Sequence, residues 1–249
     1  MDTNELMPYE YAEDFKVYGY DGDYKGDVRP ASLLRYAQEV AGAQCTHYGI
    51  TDEVYASTHT AYVLAKIAMH FNRVPKINER LHLITQPEAL KRAANKRLTV
   101  VEDEMGAEAA LIDSRWVLID TDKRMILRKH PPEVCGPWAE NIERSLPMRL
   151  QKPEATESLG MRRADYSRCD TNGHLNNTRY VDIVFDALPF ELLDRTTPQD
   201  ILVLYHKEVP IGEELELRRA KTDENTWYFC GMREGKACFE AAVTLAPNT

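Results

Sequence analysis

Two stretches of the chain, 26–41 and 173–188, carry apolar residues at the three- and four-residue spacing of an amphipathic helix. Setting GDVRPASLLRYAQEVA against GHLNNTRYVDIVFDAL superposes the two apolar stripes without a gap. The stripes are Leu33, Leu34, Ala37, Val40 and Ala41 in the first stretch, and Val181, Val184, Phe185 and Leu188 in the second. The pattern predicts one long helix in each half of the chain, with Pro30 as an early residue of the first.

Runs with strand patterning follow each predicted helix. Residues 239–245 alternate between apolar positions and Glu240, Ala242 and Thr244, which is the two-residue period of a strand with one buried face. The predicted strands are 60–73, 80–88, 95–103 and 108–120 after the first helix, and 200–209, 214–221, 226–233 and 236–246 after the second.

A proline-rich stretch separates the two similar halves. Five of the thirteen prolines lie between His130 and Pro153, where periodicity is weak. The predicted organisation is therefore an N-terminal unit 1–129, a linker 130–153 and a C-terminal unit 154–249. RVPKINERLHL (73–83) also resembles EVPIGEELEL (208–217) with one insertion, which sets Glu208 opposite Arg73. These matches predict an α+β tandem duplication, each unit being a long helix wrapped by an antiparallel sheet. Two such units can cover each other's open edges, as two subunits of a dimer would.

Composition narrows the function classes. The net charge of -9 argues against a nucleic-acid-binding protein, which usually has a basic domain. The five cysteines are odd in number and lack C-x-x-C spacing, so we expect reduced thiols in a cytoplasmic protein rather than disulfides or a zinc site. The N-terminal stretch shows neither signal-peptide nor transit-peptide character, and no apolar run is long enough to span a membrane.

The stretch DTNGHLNNTRY (170–180) concentrates polar side chains at the entrance of the second helix. Its simplest interpretation is structural, because Asp170 and Asn172 favour turns and either Asn176 or Asn177 can cap a helix that begins near Thr178. The first half, however, places Asp27, Arg29 and Pro30 at the positions of His174, Asn176 and Asn177. Since the same entrance is made there without these groups, the cluster also suggests chemistry. A helix entrance with amide and imidazole donors beside a carboxylate suits water attack on a carbonyl.

DTNGHLNNTRYVD (170–182) resembles the signature of the acyl-acyl carrier protein thioesterases, the double hotdog enzymes of bacteria and plant plastids. VLYHKEV (203–209) resembles the second block of that family, in which Glu208 matches the family Glu and Val209 stands where the plant enzymes have Cys. The tracts 29–49 and 114–120 of the first half also resemble this family in the character of their residues. The missing transit segment favours a bacterial type.

This resemblance implies a tandem double hotdog fold and hydrolysis of the thioester between a fatty acyl chain and the phosphopantetheine arm of an acyl carrier protein. The acyl chain is expected in a pocket of the N-terminal unit, and the catalytic groups in the C-terminal unit. No metal or diffusible cofactor is expected. A Cys-based scheme is in doubt because Val209 cannot act as a nucleophile.

The roles expected from the resemblance are as follows. Asn172 and His174 position the thioester carbonyl and the attacking water. Glu208 is the first choice for the general base, while Asp170 orients Asn172 or His174, although the two carboxylates can exchange these roles. The Asn176–Asn177 pair and the amides at 174–178 cap the helix and help to form the oxyanion site.

Carrier proteins are acidic, so an enzyme with a net charge of -9 needs a local basic face to bind one. The predicted contacts are Arg179, Lys207, Arg162 and Arg163, with Lys91, Arg92, Lys96 and Arg97 as further candidates. Arg179 is the favoured contact because it lies one turn inside the second helix, although it can pair with Asp182 or Asp186 instead. Each of these residues is equally compatible with an ordinary solvated charge.

Other functions remain open at this point. A hotdog thioesterase acting on coenzyme A thioesters and a non-catalytic acyl-binding regulator are the alternatives, and a hotdog dehydratase fits less well because its motif differs. Expected pocket-wall residues are His59, Tyr62, Met69 and Trp116, which core packing would explain equally. Pairing of the double unit into a homodimer is also open.

Overall fold

The computed structural model describes residues 6–248, so the first five residues of the predicted N-terminal unit and residue 249 of the C-terminal unit lie outside it. None of the helices in this range is both long and apolar enough to cross a membrane. The helices are α1 (Pro30–His47), α2 (Asp52–Thr58), α3 (Arg179–Phe185) and α4 (Phe190–Arg195). The strands are β1 (Tyr11–Lys16), β2 (Thr60–Phe71), β3 (Arg80–Pro87), β4 (Asn95–Asp103), β5 (Glu108–Asp120), β6 (Met125–Ile126), β7 (Glu157–Arg163), β8 (Thr196–Tyr205), β9 (Glu214–Asp223), β10 (Thr226–Arg233) and β11 (Lys236–Pro247).

Helix α1 confirms the first helix prediction. Pro30 is its first residue, where the missing backbone N–H costs no hydrogen bond. The stripe formed by Leu33, Leu34, Ala37 and Val40 is buried against the inner face of the sheet. Amphipathic patterning therefore determines both the helix and the face that it buries.

The second helix is much shorter than the sequence pattern predicts. Helix α3 has seven residues and is followed by a turn, and α4 begins only at Phe190. Pro189 explains the break, because proline has no N–H for a helical hydrogen bond and restricts the residue before it. The apolar stripe is nevertheless buried, since Val181 and Val184 lie in the main core.

The strands form one continuous antiparallel sheet in the order β1-β3-β4-β5-β2-β8-β11-β10-β9-β7, with β6 paired to β5. The first five strands of this order come from the first half of the chain and the last five from the second. Strands β2 and β8 join the halves over the register Lys66↔Leu204 to His70↔Asp200. Helices α1 and α3 contact each other on the inner side. The arrangement is the predicted α+β tandem double hotdog.

The segment between β6 and β7 packs on the outer face of the first half-sheet. Ala139 and Ile142 form a small apolar cluster with Leu98 and Leu111, on the face of β4 and β5 that points away from α1. The ammonium of Lys96 donates to the carbonyl of Ile142 at 2.8 Å. This stretch is therefore a cover for the sheet as well as a connection, and the boundaries 130–153 of the linker stay a prediction.

A buried carboxylate lies on the outer face of the second half-sheet. Glu240 is 4% exposed. It accepts hydrogen bonds from the hydroxyl of Tyr228 at 2.5 Å and from the ammonium of Lys152 at 3.0 Å, and it lies 2.8 Å from the Nε2 of His206. Burial alone raises the pKa of Glu240, but these three partners outweigh it and lower the pKa below its ordinary value. The charged form of Glu240 therefore stabilises the fold, and it ties the segment that precedes β7 to the sheet.

We expect Glu240→Gln to lower the free energy of unfolding at pH 7 by about 2 kcal/mol, because a buried charge-assisted network loses its charge. Since the folded-state pKa is lowered, this contribution is present above the unfolded pKa of about 4.5 and is lost as the pH falls through the folded pKa. Urea unfolding at several pH values measures both effects. Glu224→Gln, in an exposed turn, is the control, and equal losses in both variants would contradict the assignment.

Candidate active site

The polar cluster 170–177 is a tight turn that leads into α3. The amide of Asp170 donates to the carbonyl of His174 at 2.9 Å, and the amide of Gly173 donates to the carbonyl of Asp170 at 3.0 Å. The Oδ1 of Asp170 accepts from the amide of Asn172 at 2.9 Å. Gly173 has φ of 75°, a conformation that glycine adopts without the steric cost of a side chain. The predicted turn role of Asp170 and Asn172 is confirmed.

The first half builds the same turn from different residues. The amide of Asp23 donates to the carbonyl of Asp27 at 2.7 Å, and the Oδ1 of Asp23 accepts from the amide of Lys25 at 2.8 Å. Gly26 has φ of 78°. These contacts match those of the second turn one for one, which confirms the alignment of Asp27 with His174. They also show that the Asp170 contact to the amide of Asn172 belongs to the turn itself, because Asp23 makes it too.

Asn176 caps the turn at 177–178, through which the chain enters α3. Its Oδ1 accepts from the amide of Thr178 at 3.0 Å and from the hydroxyl of Thr178 at 2.8 Å, and Thr178 is only 1% exposed. Asn177 takes a different part, since its carbonyl accepts from the hydroxyl of Tyr205 at 2.8 Å. Burial raises the pKa of Tyr205, so that hydroxyl stays a hydrogen-bond donor. Of the two candidates, Asn176 is the cap and Asn177 has a free side chain within the described residues.

Most of the amides at 174–178 already have protein acceptors. The amide of Leu175 donates to the carbonyl of Val209, that of Asn176 to Arg168, and that of Thr178 to the Asn176 side chain. Within residues 6–248 the amides of His174 and Asn177 alone among these five have no such partner. The donors available for an oxyanion are therefore fewer than the sequence suggests.

His174 and Glu208 form a pair beside the turn. The Nδ1 of His174 lies 3.4 Å from the Oε2 of Glu208, whose side chain is 61% exposed. The expected strand 200–209 is too long, because β8 ends at Tyr205 and Glu208 lies in the following connection. Beyond Tyr205, the amides of His206 and Lys207 both turn to the carbonyl of Cys238, which ends the regular pairing.

The alignment of Glu208 with Arg73 is wrong by one residue. Leu175 donates to the carbonyl of Val209, whereas its counterpart Val28 donates to the carbonyl of Pro75. Glu208 therefore corresponds to Val74, one residue beyond Arg73. The two segments therefore align without an insertion from Val74 and Glu208 onward. Matched backbone hydrogen bonds show this alignment, whereas similarity of residue types does not.

A cavity of about 620 Å³ opens at this turn and extends into the first half. Its wall includes Gln38, Ala41 and Cys45, which repeat along one face of α1. Asp170, Asn172, Asn176 and Asn177 also line the cavity, whereas His174 and Glu208 do not. Of the four predicted catalytic residues, Asp170 and Asn172 thus lie on the cavity together with the two predicted cap residues, while His174, partly buried, and Glu208, exposed, form a pair beside it.

The expected pocket-wall residues divide in the same way. Tyr62 and Trp116 line the cavity. Met69 is instead a core residue at 1% exposure, and His59 lies on the surface, with its Nδ1 at 3.1 Å from the Oδ2 of Asp122. The pairing register of β2 shifts between Leu64 and Lys66, so a simple two-residue alternation does not run from Tyr62 to Met69. Tyr62 packs on the small cluster around Ile50 and Leu118, whereas Met69 lies in the main core.

Two basic residues offered as carrier contacts are not on the free surface. Lys96 is buried beneath the segment that covers the outer face, and Arg97 points inward to the side chains of Gln44 and Thr85. Burial lowers the pKa of Arg97. Arg97 also lines the cavity, where it forms no ion pair with a carboxylate of the described residues. The charge of Arg97 predicts a surface residue, so the sequence pattern carries no signal for this place on the cavity wall.

The four main carrier-contact candidates differ in availability. Arg179 pairs with Asp182 at 2.9 Å, which is the alternative that its spacing allowed. Arg162 donates to the carbonyls of Leu159 and Met161. Arg163 lies 3.9 Å from Asp165 with its side chain 61% exposed, and Lys207 is exposed beside Glu208. Lys207 and Arg163 are therefore the most accessible of the four.

We expect Asn176→Ala to destabilise the protein by about 1 kcal/mol, because the amide and hydroxyl of Thr178 lose their shared acceptor. Asn177→Ala is the matched control, since its side chain caps nothing. Thermal unfolding of the two variants gives the comparison. An equal loss of stability in both would show that Asn176 is not the cap.

Two protein-family models match most of the chain. Residues 8–138 match the model of the acyl-ACP thioesterase N-terminal domain, and residues 150–239 match that of the acyl-ACP thioesterase C-terminal domain. An oleoyl-acyl carrier protein thioesterase of Arabidopsis thaliana is 24% identical over 80% of this chain and 60% of its own length. One from Coriandrum sativum is 23% identical over 87% of this chain and 64% of its own. The chain thus spans about three fifths of the length of these relatives.

Solved structures agree with the fold. An acyl-ACP thioesterase of Bacteroides thetaiotaomicron superposes with a TM-score of 0.87 at 21% identity, covering 96% of this chain and 98% of its own. The 12:0-ACP thioesterase of Umbellularia californica gives a TM-score of 0.86 at 18% identity, covering 98% and 99%. With both domain models matched in order across most of its length, the chain belongs to the acyl-ACP thioesterase family.

Proposed function

We propose that this protein hydrolyses the thioester of a fatty acyl-acyl carrier protein and releases the free fatty acid. The observation that carries the proposal is the cavity of about 620 Å³, which extends along α1 in the first half and opens at Asp170, Asn172, Asn176 and Asn177 of the second. Such a cavity can take an acyl chain while the thioester carbonyl remains at its mouth. Family membership supports the same reaction.

In the proposed reaction a water oxygen attacks the carbonyl carbon of the thioester. The water gives a proton to a carboxylate as its oxygen bonds to carbon, and the carbonyl oxygen takes up negative charge. The side-chain amides of Asn172 and Asn177 and the free backbone amide of Asn177 are the donors that stabilise this charge. The carbon–sulfur bond then breaks, and the carrier's thiolate receives the proton from the carboxyl group.

We assign the base to Asp170 and a supporting role to Glu208, which is the exchange of roles that sequence analysis left open. Asp170 lines the cavity, and its Oδ1 alone is used by the turn, so a second oxygen is available for water. Glu208 is more exposed and is turned to His174. The contact between Glu208 and His174 can hold the turn in place.

A covalent thiol intermediate fits this site poorly. Burial, with added repulsion from Asp170 and Asp165, raises the pKa of Cys169, and this disfavours the nucleophilic thiolate. Val209, at the place of the plant Cys, is 0% exposed. Water is therefore the proposed nucleophile. All five cysteines are free thiols, which supports a proposed cytoplasmic location.

We expect Asp170→Asn to lower kcat for palmitoyl-carrier hydrolysis by about 100-fold or more, because the base is removed while the turn acceptor is kept. Asp23→Asn is the matched control, since it changes the same turn contact in the first half and should retain activity. Thiol release measures turnover, and circular dichroism checks folding.

Glu208→Gln and His174→Ala in the same assay decide between the carboxylates. A smaller loss than in Asp170→Asn supports the assignment. A larger loss in Glu208→Gln would transfer the base to Glu208. Near-wild-type turnover in all three would rule out the network. Faster hydrolysis of acyl-coenzyme A than of the acyl-carrier substrate would instead indicate a coenzyme A thioesterase. Binding of the acyl substrate without hydrolysis would indicate an acyl-binding regulator.

We also expect Lys207→Glu to lower kcat/KM for the acidic carrier substrate by about two- to fivefold at low salt, the size of one exposed ion pair. Activity on a small acyl thioester should not change, because that substrate has no acidic surface. Arg80→Glu, on the distant strand β3, is the control. If high salt does not reduce the difference between Lys207→Glu and wild type, the contact is not electrostatic.

A further inference from the structure

The protein has a second cavity of about 560 Å³ at the turn of the first half. It is lined by Asp23, Lys25, Arg29 and Pro30. Through the matched hydrogen bonds of the two turns, these are the counterparts of Asp170, Asn172, Asn176 and Asn177 on the first cavity. The duplication has therefore produced two related clefts, each opening at the turn of one half and extending towards the helix of the other.

At two matched helix positions the second cavity has larger apolar side chains than the first. Phe185 and Leu188 line it at the positions that Gln38 and Ala41 occupy in the first cavity. Leu193 of α4 adds a third apolar side chain. The break of the helix at Pro189 thus does not close this cleft, since α4 continues its wall. The wall suits a hydrocarbon chain.

Two guanidinium groups of the second cavity have no carboxylate partner among the described residues. Arg29 donates to the carbonyl of Tyr20, and its Nε is buried with no hydrogen-bond acceptor in residues 6–248. Arg168 forms no ion pair in that range either. Both act on Asp186, whose pKa burial raises and these arginines partly lower. The carboxylates and the basic side chains of the cavity are equal in number, but Arg29 and Arg168 are the two basic groups that no ion pair of residues 6–248 engages.

The other charged groups of this cavity, Asp186 apart, have partners within the protein, and the Oδ1 of Asp23 accepts from the amides of Lys25 and Asp27. Lys25 lies 3.9 Å from Asp27 and donates to the carbonyls of Leu193 and Thr196, and Arg179 pairs with Asp182. Lys25 and Arg179 are therefore not available to bind a ligand. The guanidinium groups without an ion-pair partner are thus Arg29 and Arg168, which suit a ligand with a single negative charge. They line the same cavity as the apolar side chains of the helical wall.

The mouth of the cleft exposes aromatic side chains. Phe190 is 62% exposed and Tyr24 is 55% exposed, and their rings lie 4.8 Å apart. Tyr20 is 75% exposed beneath the guanidinium of Arg29. Exposed apolar rings around a cavity are typical of a surface that is covered when a ligand binds.

We infer that the second cavity binds a long-chain carboxylate, with its head group at Arg29 and Arg168 and its chain against Phe185, Leu188 and Leu193. It binds this ligand without hydrolysing a thioester, because Lys25 and Pro30 stand in place of Asn172 and Asn177, whose amides would stabilise the carbonyl oxygen. The inference rests on the proposed function in one respect: a free fatty acid, the product of that reaction, belongs to this ligand class. The second cavity is then a product-binding site.

The test is titration of dodecanoate, below its micelle concentration, into the full chain by calorimetry. We expect two sites per chain in the wild type, since the product also enters the first cavity. Arg29→Gln with Arg168→Gln should weaken one site by at least tenfold and leave the other unchanged. Arg80→Gln is the charge-matched control. 1-Dodecanol, which lacks the carboxylate, should bind the second site at least tenfold more weakly than dodecanoate.

A second variant, Leu193→Trp, fills the chain-binding wall without changing charge, and it should also remove one site. Circular dichroism and thermal unfolding confirm that each variant is folded. A single site in the wild type, or two unchanged sites in both variants, overturns the inference. Hydrolysis of acyl-carrier substrate is scored separately. Failure of turnover with two-site binding therefore counts only against the proposed function, and normal turnover with one site counts only against this inference.

Discussion

The pairing of β2 with β8 is the contact on which the rest of the structure depends. It turns two half-sheets, each with an open edge, into one continuous sheet and satisfies backbone groups that would otherwise face solvent at the middle of the molecule. At the end of this register the Nδ1 of His70 lies 2.7 Å from the Oδ1 of Asp200, so side chains also join the halves. With the sheet continuous, α1 and α3 must pack on the same inner face, and a cleft forms beside each helix entrance.

Duplication within one chain frees the two clefts to diverge. In a dimer of identical subunits, every residue of one cleft is repeated in the other. Here the same turn is retained, with Asp170 in one half and Asp23 in the other, while neighbouring positions differ. The second-half turn places asparagines on a cavity, and the first-half turn places Lys25 and Arg29 on its counterpart. Comparison of the halves thus separates what a turn requires from what chemistry requires.

Local patterns predicted local structure well. The apolar stripe with Pro30 determined α1, and two-residue alternation located eight of the eleven strands of residues 6–248 to within a few residues at most ends, but gave no bounds for β1, β6 and β7. The errors came where a local rule met a competing constraint. Pro189 ended a helix that the apolar stripe alone would have continued. Strand β8 stopped at Tyr205 because the next amides turned to Cys238. Arg97 was expected at the surface from its charge, but β4 directs it into the cavity.

The sequence by itself determined the helices and strands, the internal repeat and the set of polar residues at the second helix entrance, because these depend on spacing and residue type along the chain. Only the tertiary structure decided which of those residues share a cavity. Asp170 and Asn177 face a space bounded by α1, more than a hundred residues earlier, while His174 and Glu208 lie beside it. That division follows from the pairing of the two half-sheets, which brings the second turn against the first helix, and no pattern within a single segment records it.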